Sequence, residues 1–284
     1  MMTFKTLIVA AAASVLATSA SAQVAGAGAE WRQIAPENLL VIETSKGEVL
    51  VELEPRMAPN HIERIRTLTE RGFYNGLKFH RVIPGFMAQT GDPQGTGAGG
   101  SDLPDLAGEF SFRRGRDSGF AEVETPGEGL VGMMGSMPIL TQPDAQMFVT
   151  ADLKTSANGL FCPGVAGMAR SQSPDSANSQ FFLMSGRNDN LNATYTPFGR
   201  VVGGLNVVHN LKAGDEAQDG KVEGEPDTMI KVLMASSLPA GQRPVVRVAL
   251  PGSAAYNQAV ELARTTKGNS FNVCDVQPAV QISR

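Results

Sequence analysis

The segment Phe79-His-Arg-Val-Ile-Pro-Gly-Phe-Met-Ala-Gln-Thr-Gly-Asp92 sets a cation (Arg81), two apolar bodies (Phe86 and Met87) and an amide (Gln89) on adjacent short extended runs. Nothing in it can act as a nucleophile, and no paired carboxylates stand ready for proton transfer. One fixed charge, one amide and apolar walls suit chemistry that breaks no covalent bond. Each residue alone has a plainer reading. An Arg between strands is ordinarily a solvated or paired surface residue, and Phe86 and Met87 would be core packing.

The elements around the segment are short. Leu39–Thr44 and Glu48–Glu54 read as strands about Ser45-Lys46-Gly47, with Val49, Val51 and Leu53 alternating against Glu48, Glu52 and Glu54 as in a half-buried strand. After Pro59, residues Ile62, Ile65 and Leu68 recur at helical spacing up to the stop at Gly72. Phe79–Ile83 and Phe86–Thr90 are strands divided by the Pro84-Gly85 turn. From Arg113 to Leu160 periodicity fades and Gly, Pro and Met accumulate, which reads as a long loop. A faint echo joins Gly129-Leu-Val-Gly-Met133 and Gln146-Met-Phe148 to Gly164-Val-Ala-Gly-Met168 and Gln180-Phe-Phe182; an old duplication, similar hairpins and coincidence all remain open. The tail, residues 237–284, holds a strand-like Val245–Leu250 and a helix-like Ala254–Arg264. Short strands, many turns and two or three helices favour an antiparallel sheet closed on itself with helices over its ends.

At the N-terminus, Lys5, the apolar stretch Leu7–Ala17 and Ala20-Ser21-Ala22 form a secretory signal, placing the mature start at Gln23 and the protein in the periplasm. The stretch is too short to span a bilayer. Residues 23–37 read as a flexible leader. The formal charge of −4 becomes −5 once Lys5 is removed with residues 1–22. With no Lys/Arg run, that charge excludes nucleic acid as a partner. Cys162 and Cys274 are the two cysteines, and export favours a disulfide between them over two isolated buried thiols.

Gly95, Gly97 and Gly100 satisfy G-x-G-x-x-G, but Ser101-Asp-Leu-Pro104 stands where a dinucleotide fold needs a helix, so the segment reads as a loop and not as a nucleotide site. His61, His80 and His209 have no metal-ligand spacing, so no metal is assigned; a structural role beside the sheet suits His80. No hydrolase signature occurs. Met133, Met134 and Met137 suit packing under a long loop better than an adaptable binding contact.

The opening segment, Gly95-Thr-Gly-Ala-Gly-Gly100, Met168-Ala-Arg170, Ser176-Ala-Asn-Ser-Gln-Phe-Phe182 and Phe198-Gly-Arg-Val201 together resemble cyclophilin-type peptidyl-prolyl cis/trans isomerases of the bacterial exported type. The resemblance covers residues 38–112 and 163–236. It implies a mainly β fold: a closed eight-stranded antiparallel barrel capped by two α-helices, here a domain over 38–236 with a loop insertion at 113–160 and a C-terminal extension at 237–284. Arg81 falls at the family's catalytic arginine. Phe86, Met87, Phe182 and Leu191 fall at its proline-pocket walls, and Gln89 and Gln180 at its substrate-orienting amides. Ala169 and Arg170 match the pair whose backbone meets the peptide, Tyr195 stands where many members have His, and Gly97 lies in the groove-lining loop. Asn190 replaces a Trp that helps some members bind cyclosporin, which implies weak inhibition. The implied activity is isomerisation of Xaa–Pro bonds in unfolded or partly folded proteins, without a cofactor. A non-enzymatic chaperone using the same groove is the alternative, disfavoured by Arg81, Gln89 and Phe182 being present together.

Overall fold

The computed structural model describes residues 30–124, 127 and 129–284, so the expected secretory signal lies outside the described residues. In chain order the main elements are β1 (Trp31–Gln33), β2 (Leu39–Thr44), β3 (Gly47–Leu53), α1 (Pro59–Glu70), β4 (Arg81–Ile83) and β5 (Met87–Thr90). Five short strands follow: β6 (Phe112–Arg114), β7 (Phe120–Glu124), β8 (Leu130–Met134), β9 (Met137–Thr141) and β10 (Thr155–Gly159). Then come β11 (Val165–Met168), β12 (Phe181–Met184), β13 (Pro197–Gly203), α2 (Leu205–His209), β14 (Met229–Met234), β15 (Val245–Ala249), α3 (Ala254–Lys267) and β16 (Val280–Ser283).

Eight strands make one antiparallel sheet in the order β14-β2-β3-β13-β11-β12-β5-β4. The two edges meet through backbone hydrogen bonds: Gly76 N and Phe79 N donate to Met229 O and Asp227 O, and Met229 N donates to Leu77 O. That seam curls the sheet into the barrel expected of the family, with α1 and α2 as its two covering helices. Pro59 opens α1, where its missing N–H costs nothing. Glu109 accepts from the first backbone N–H groups, of Asn60 and His61. The helix ends in a Schellman motif: Gly72 takes φ 69°, its N–H donates to Thr69 O, and Phe73 N–H donates to Leu68 O. Between these ends Ile62, Ile65 and Leu68 are fully buried, each worth about 1.5–3 kcal/mol relative to exposure.

Two expectations are corrected here. Residues 113–160 are not a loop, since β6–β10 form their own antiparallel sheet in the order β6-β10-β9-β8-β7. Its strands hide their period because much of the sheet is covered: Met133, Met134, Met137 and Ile139 are buried in one cluster with Met57, Met87, Phe161 and Met184. The leader is not wholly irregular either, because β1 pairs with β15, Trp31 opposite Ala249, and β15 pairs in turn with β16. This three-stranded sheet buries the outer face of the barrel at Leu39, Val41, Leu50, Val202 and Leu233. It explains why β2 and β3 are covered on both faces instead of half-buried. Glu52 is buried only because Arg32 pairs with it, as Arg56 pairs with Glu54. The echo between the two glycine-rich segments has a structural counterpart only in its first half. Gly129–Met133 and Gly164–Met168 each run into a strand, β8 and β11, whereas Gln180-Phe181-Phe182 leads into a strand and Gln146-Met147-Phe148 lies in the 3-10 turn Asp144–Val149.

Three devices lock the additions to the barrel. Cys162 and Cys274 are joined in a disulfide, with Cα atoms 4.8 Å apart. Arg200 of β13 is fully buried and donates to Ser136 O (2.9 Å), Val276 O (3.0 Å) and Pro163 O (3.2 Å), so one side chain ties the β8–β9 turn and the tail to the barrel. Burial pulls its pKa down to about 9, so at neutral pH the charge remains and the carbonyl dipoles offset its desolvation. Arg264 of α3 donates to Val123 O across the open edge of β7.

The disulfide closes 112 residues. Replacing both cysteines by Ala should cost about 4 kcal/mol in urea unfolding under oxidising conditions; an unchanged midpoint would mean that packing alone holds the tail.

Candidate active site

Strand register assembles the site. Arg81 lies opposite Gln89, Gln89 opposite Phe182, and Phe182 opposite Gly167, so one row crosses β4, β5, β12 and β11. Opposed residues share a face, and a slip of one position would turn every member of the row inward. Met87, two residues before Gln89, points the same way. The turn between β4 and β5 needs Gly85 at φ 72°, and Gly186 packs so closely that a Cβ there would sit 1.8 Å from Gly85 O. Ser185 and Gly186 N–H groups both donate to Phe86 O, holding that residue at the rim.

A chain of hydrogen bonds with fixed polarity then orients the cation. Gln180 Nε2 donates to Gly99 O (2.8 Å) and Gly97 O (3.0 Å), which turns its Oε1 toward Gln89. Gln89 Nε2 donates to that oxygen (2.9 Å) and so presents its own Oε1 to Arg81 Nη1 (3.2 Å). The same nitrogen lies 3.9 Å from Met87 Sδ, and the guanidinium carbon lies 6.0 Å from the Phe86 ring centre. Its other edge is bound by Asp219, through Nε to the backbone oxygen and Nη2 to Oδ1, both at 2.8 Å. Arg81 is therefore in an ion pair without turning away from the apolar walls.

The glycine-rich loop that anchors Gln180 is organised by Asp92. Its buried carboxylate accepts from the N–H groups of Gln94 (2.7 Å), Thr96 (2.8 Å) and Gly97 (2.6 Å). Burial alone would raise its pKa; these backbone donors outweigh burial and hold the carboxyl below its usual range. Gly97 takes φ 85°, and a Cβ on Gly99 would overlap Asp92 Oδ1. This is a loop built to hold two carbonyls still.

Arg81, Phe86, Met87, Gln89, Ala169, Arg170, Phe182, Leu191 and Tyr195 line one small cavity of about 120 Å³. Phe182 packs edge-on against Tyr195 (6.0 Å) and on its other side against Phe161 (5.7 Å). Arg170 stacks 4.3 Å over the Tyr195 ring while donating to Thr194 O, so it acts as a lid on the aromatic wall. Gln180 and Gly97 stand in an adjoining cleft of about 540 Å³ that shares Gln89, Ala169 and Arg170 with the cavity. A second cleft, about 550 Å³, opens beside Arg81 and is lined by His80, Thr96 and Asp219. His80 is 6% exposed and neither ring nitrogen has a hydrogen-bond partner. Burial holds its pKa below 6.5 despite the nearby Asp92 carboxylate.

Nine of the residues singled out in the sequence thus surround one cavity, and the other two adjoin it. Four contributors were not legible: Asp219, which arrives from a distant loop; Asp92, hidden as the last residue of the opening segment; and Gly167 with Phe161, which brace Phe182 from behind. A Cβ on Gly167 would lie 2.5 Å from Phe161 and 2.7 Å from Phe182. A lone small residue opposite an aromatic was the available signal.

Residues 39–234 match the family model described as cyclophilin type peptidyl-prolyl cis-trans isomerase/CLD. The chain is a cyclophilin-type peptidyl-prolyl cis-trans isomerase. This cyclophilin is 37% identical over 232 residues to a probable peptidyl-prolyl cis-trans isomerase of Brucella suis, covering 78% of this chain and 92% of that one. It is 30% identical to peptidyl-prolyl cis-trans isomerase-like 1 of Aspergillus oryzae, covering 72% and 97%. A solved cyclophilin from Hirschia baltica matches with a TM-score of 0.79 at 32% identity, over 89% of this chain and 93% of that one. That coverage exceeds the span 39–234, so the likeness extends into the terminal additions.

Gly167→Ala should push Phe182 into the cavity, and a loss of kcat/KM of at least tenfold with the barrel intact by circular dichroism is expected. Unchanged activity would show that the wall tolerates the shift. For His80, the unfolded chain takes up a proton near pH 6.5 while the folded site resists it, so stability falls as pH drops through that range. Urea midpoints between pH 7.5 and 5 should fall less for His80→Gln than for wild type; equal falls would remove His80 from the pH response.

Proposed function

We propose that this cyclophilin binds proline-containing segments of unfolded or partly folded exported proteins and speeds their isomerisation by stabilising the twisted imide with Arg81. An Xaa–Pro bond rotates over a barrier of ~18–20 kcal/mol, taking tens to hundreds of seconds unaided. At the barrier top, conjugation is lost and the prolyl nitrogen regains its lone pair. A donor that reaches this nitrogen only in the twisted state lowers the barrier selectively. The observation that carries the reading is the aim of the guanidinium: Nη1 is turned by Gln89 toward Met87 and Phe86, the walls of the small apolar cavity. Arg fits because its charge is permanent and its fork rigid. The proline ring takes the space between Phe86, Met87, Phe182 and Leu191, while the groove beside Ala169 and Arg170 takes the preceding backbone.

About 10⁵-fold acceleration would need about 7 kcal/mol. One charge-assisted hydrogen bond supplies ~2–3 kcal/mol of it, and desolvation in the cavity and orientation through Gln89 supply the rest. Export to the periplasm is supported by the signal-like residues 1–22 and by the Cys162–Cys274 bridge, which suits an oxidising compartment. In a protease-coupled assay on a short Ala–Pro peptide, Arg81→Ala should lower kcat/KM by about 100-fold, the equivalent of ~2–3 kcal/mol. Equal rates would reject the role given to Arg81. Asn190 is exposed beside Leu191 and offers no aromatic surface to a large ligand. Cyclosporin should therefore inhibit weakly, and Asn190→Trp should strengthen it; strong inhibition of the wild type would contradict this.

A further inference from the structure

The outer edge of the Arg81 guanidinium is gripped by a residue that the mechanism above does not use. Asp219 supplies two acceptors at once, its backbone oxygen to Nε and its Oδ1 to Nη2, each at 2.8 Å. Together with Gln89 on Nη1, they bind three different nitrogens of one planar group, which fixes both its position and its plane. We propose that Asp219 is a positioning residue for Arg81, setting the cation in its productive orientation before substrate arrives. The proposal rests on the reading of Arg81 given above.

Three observations separate positioning from an incidental surface pair. First, Asp219 is held in place: it takes a left-handed φ of 54°, its N–H donates to Glu216 O, and the adjoining Gly220 O accepts from Val82 N, next to Arg81 in the strand. A Cβ on Gly220 would lie 2.3 Å from Ile83, so the loop sits tightly on β4. Second, the grip does not depend on the 80% exposed carboxylate alone, because the Asp219 backbone oxygen, fixed by its loop, accepts from Nε at the same 2.8 Å as Oδ1 does from Nη2. Third, Asp219 lines the outer cleft and not the small apolar cavity, so it holds the edge of Arg81 away from the proline while leaving the Nη1 side open. A masking carboxylate would stand on the cavity side. Without the clamp, the guanidinium gains rotamers about its terminal torsions, and only part of that ensemble faces the imide nitrogen.

The test uses full-length mature protein and a short Ala–Pro peptide, with Asp219→Gly, Asp219→Asn and Arg81→Ala measured beside wild type. Glycine keeps the carbonyl and accepts the left-handed backbone without strain. Asparagine keeps an Oδ1 acceptor and tolerates that conformation too. Asp219→Gly should lower kcat about fivefold with KM within twofold and Tm unchanged, since so exposed a pair adds little stability. Asp219→Asn should recover most of the loss. Wild-type or faster turnover in Asp219→Gly, with Arg81→Ala still slow, would overturn the proposal while leaving Arg81 in its role. An equal loss in Asp219→Asn and Asp219→Gly would also overturn it, because the acceptor would then not matter. Full activity in Arg81→Ala would remove the underlying reading and this proposal with it.

Discussion

In the role proposed for Arg81, a guanidinium on a flexible stem favours a twisted imide only if its plane is fixed in advance, and the hydrogen bonds around Arg81 fix it. The fixing is done by polarity. Two backbone carbonyls of the glycine-rich loop can only accept, so the Gln180 amide must donate to them, and that choice propagates through Gln89 to Arg81. The carbonyls are steady because Asp92 collects the neighbouring N–H groups. A buried carboxylate one loop away therefore helps set the direction in which the Arg81 guanidinium points.

The apolar half of the site is braced from the opposite side. Phe182 is backed by Phe161, whose N–H donates to Asn192 Oδ1 beyond the short turn that carries Leu191. Phe161 precedes Cys162, and the disulfide from there reaches the tail. The inserted sheet and the C-terminal sheet thus lie behind the pocket wall and around the barrel, and among the described residues none from 113–160 or 237–284 lines the cavity or the two clefts beside Arg81. Arg200 makes the same connection in polar form, with carbonyl oxygens from three segments around one buried charge.

The barrel and the pocket were legible because their signals are local. Pro84-Gly85 marks the turn between Arg81 and Gln89, and the Ser45-Lys46-Gly47 turn marks the first hairpin. The additions were not, for a physical reason. β8 and β9 are covered by methionines and neighbouring sheets, so the contrast between inward and outward residues that betrays a strand is missing. β1 is three residues long and exists only because β15, more than two hundred positions later, offers an edge. Asp219 reads in sequence as one more acid in a polar loop, since its partner lies 138 residues away. Glu52 and Glu54 look solvent-facing until Arg32 and Arg56 are seen to cover them.

The central claim is that Arg81 acts on the twisted state and not on binding. NMR exchange on an enzyme saturated with an Ala–Pro peptide measures the bound-state interconversion rate separately from Kd. For Arg81→Ala the account requires that rate to fall by about 100-fold while Kd changes severalfold at most. A Kd raised by two orders of magnitude with the bound-state rate preserved would contradict it, and would make Arg81 a residue that holds substrate without speeding its rotation.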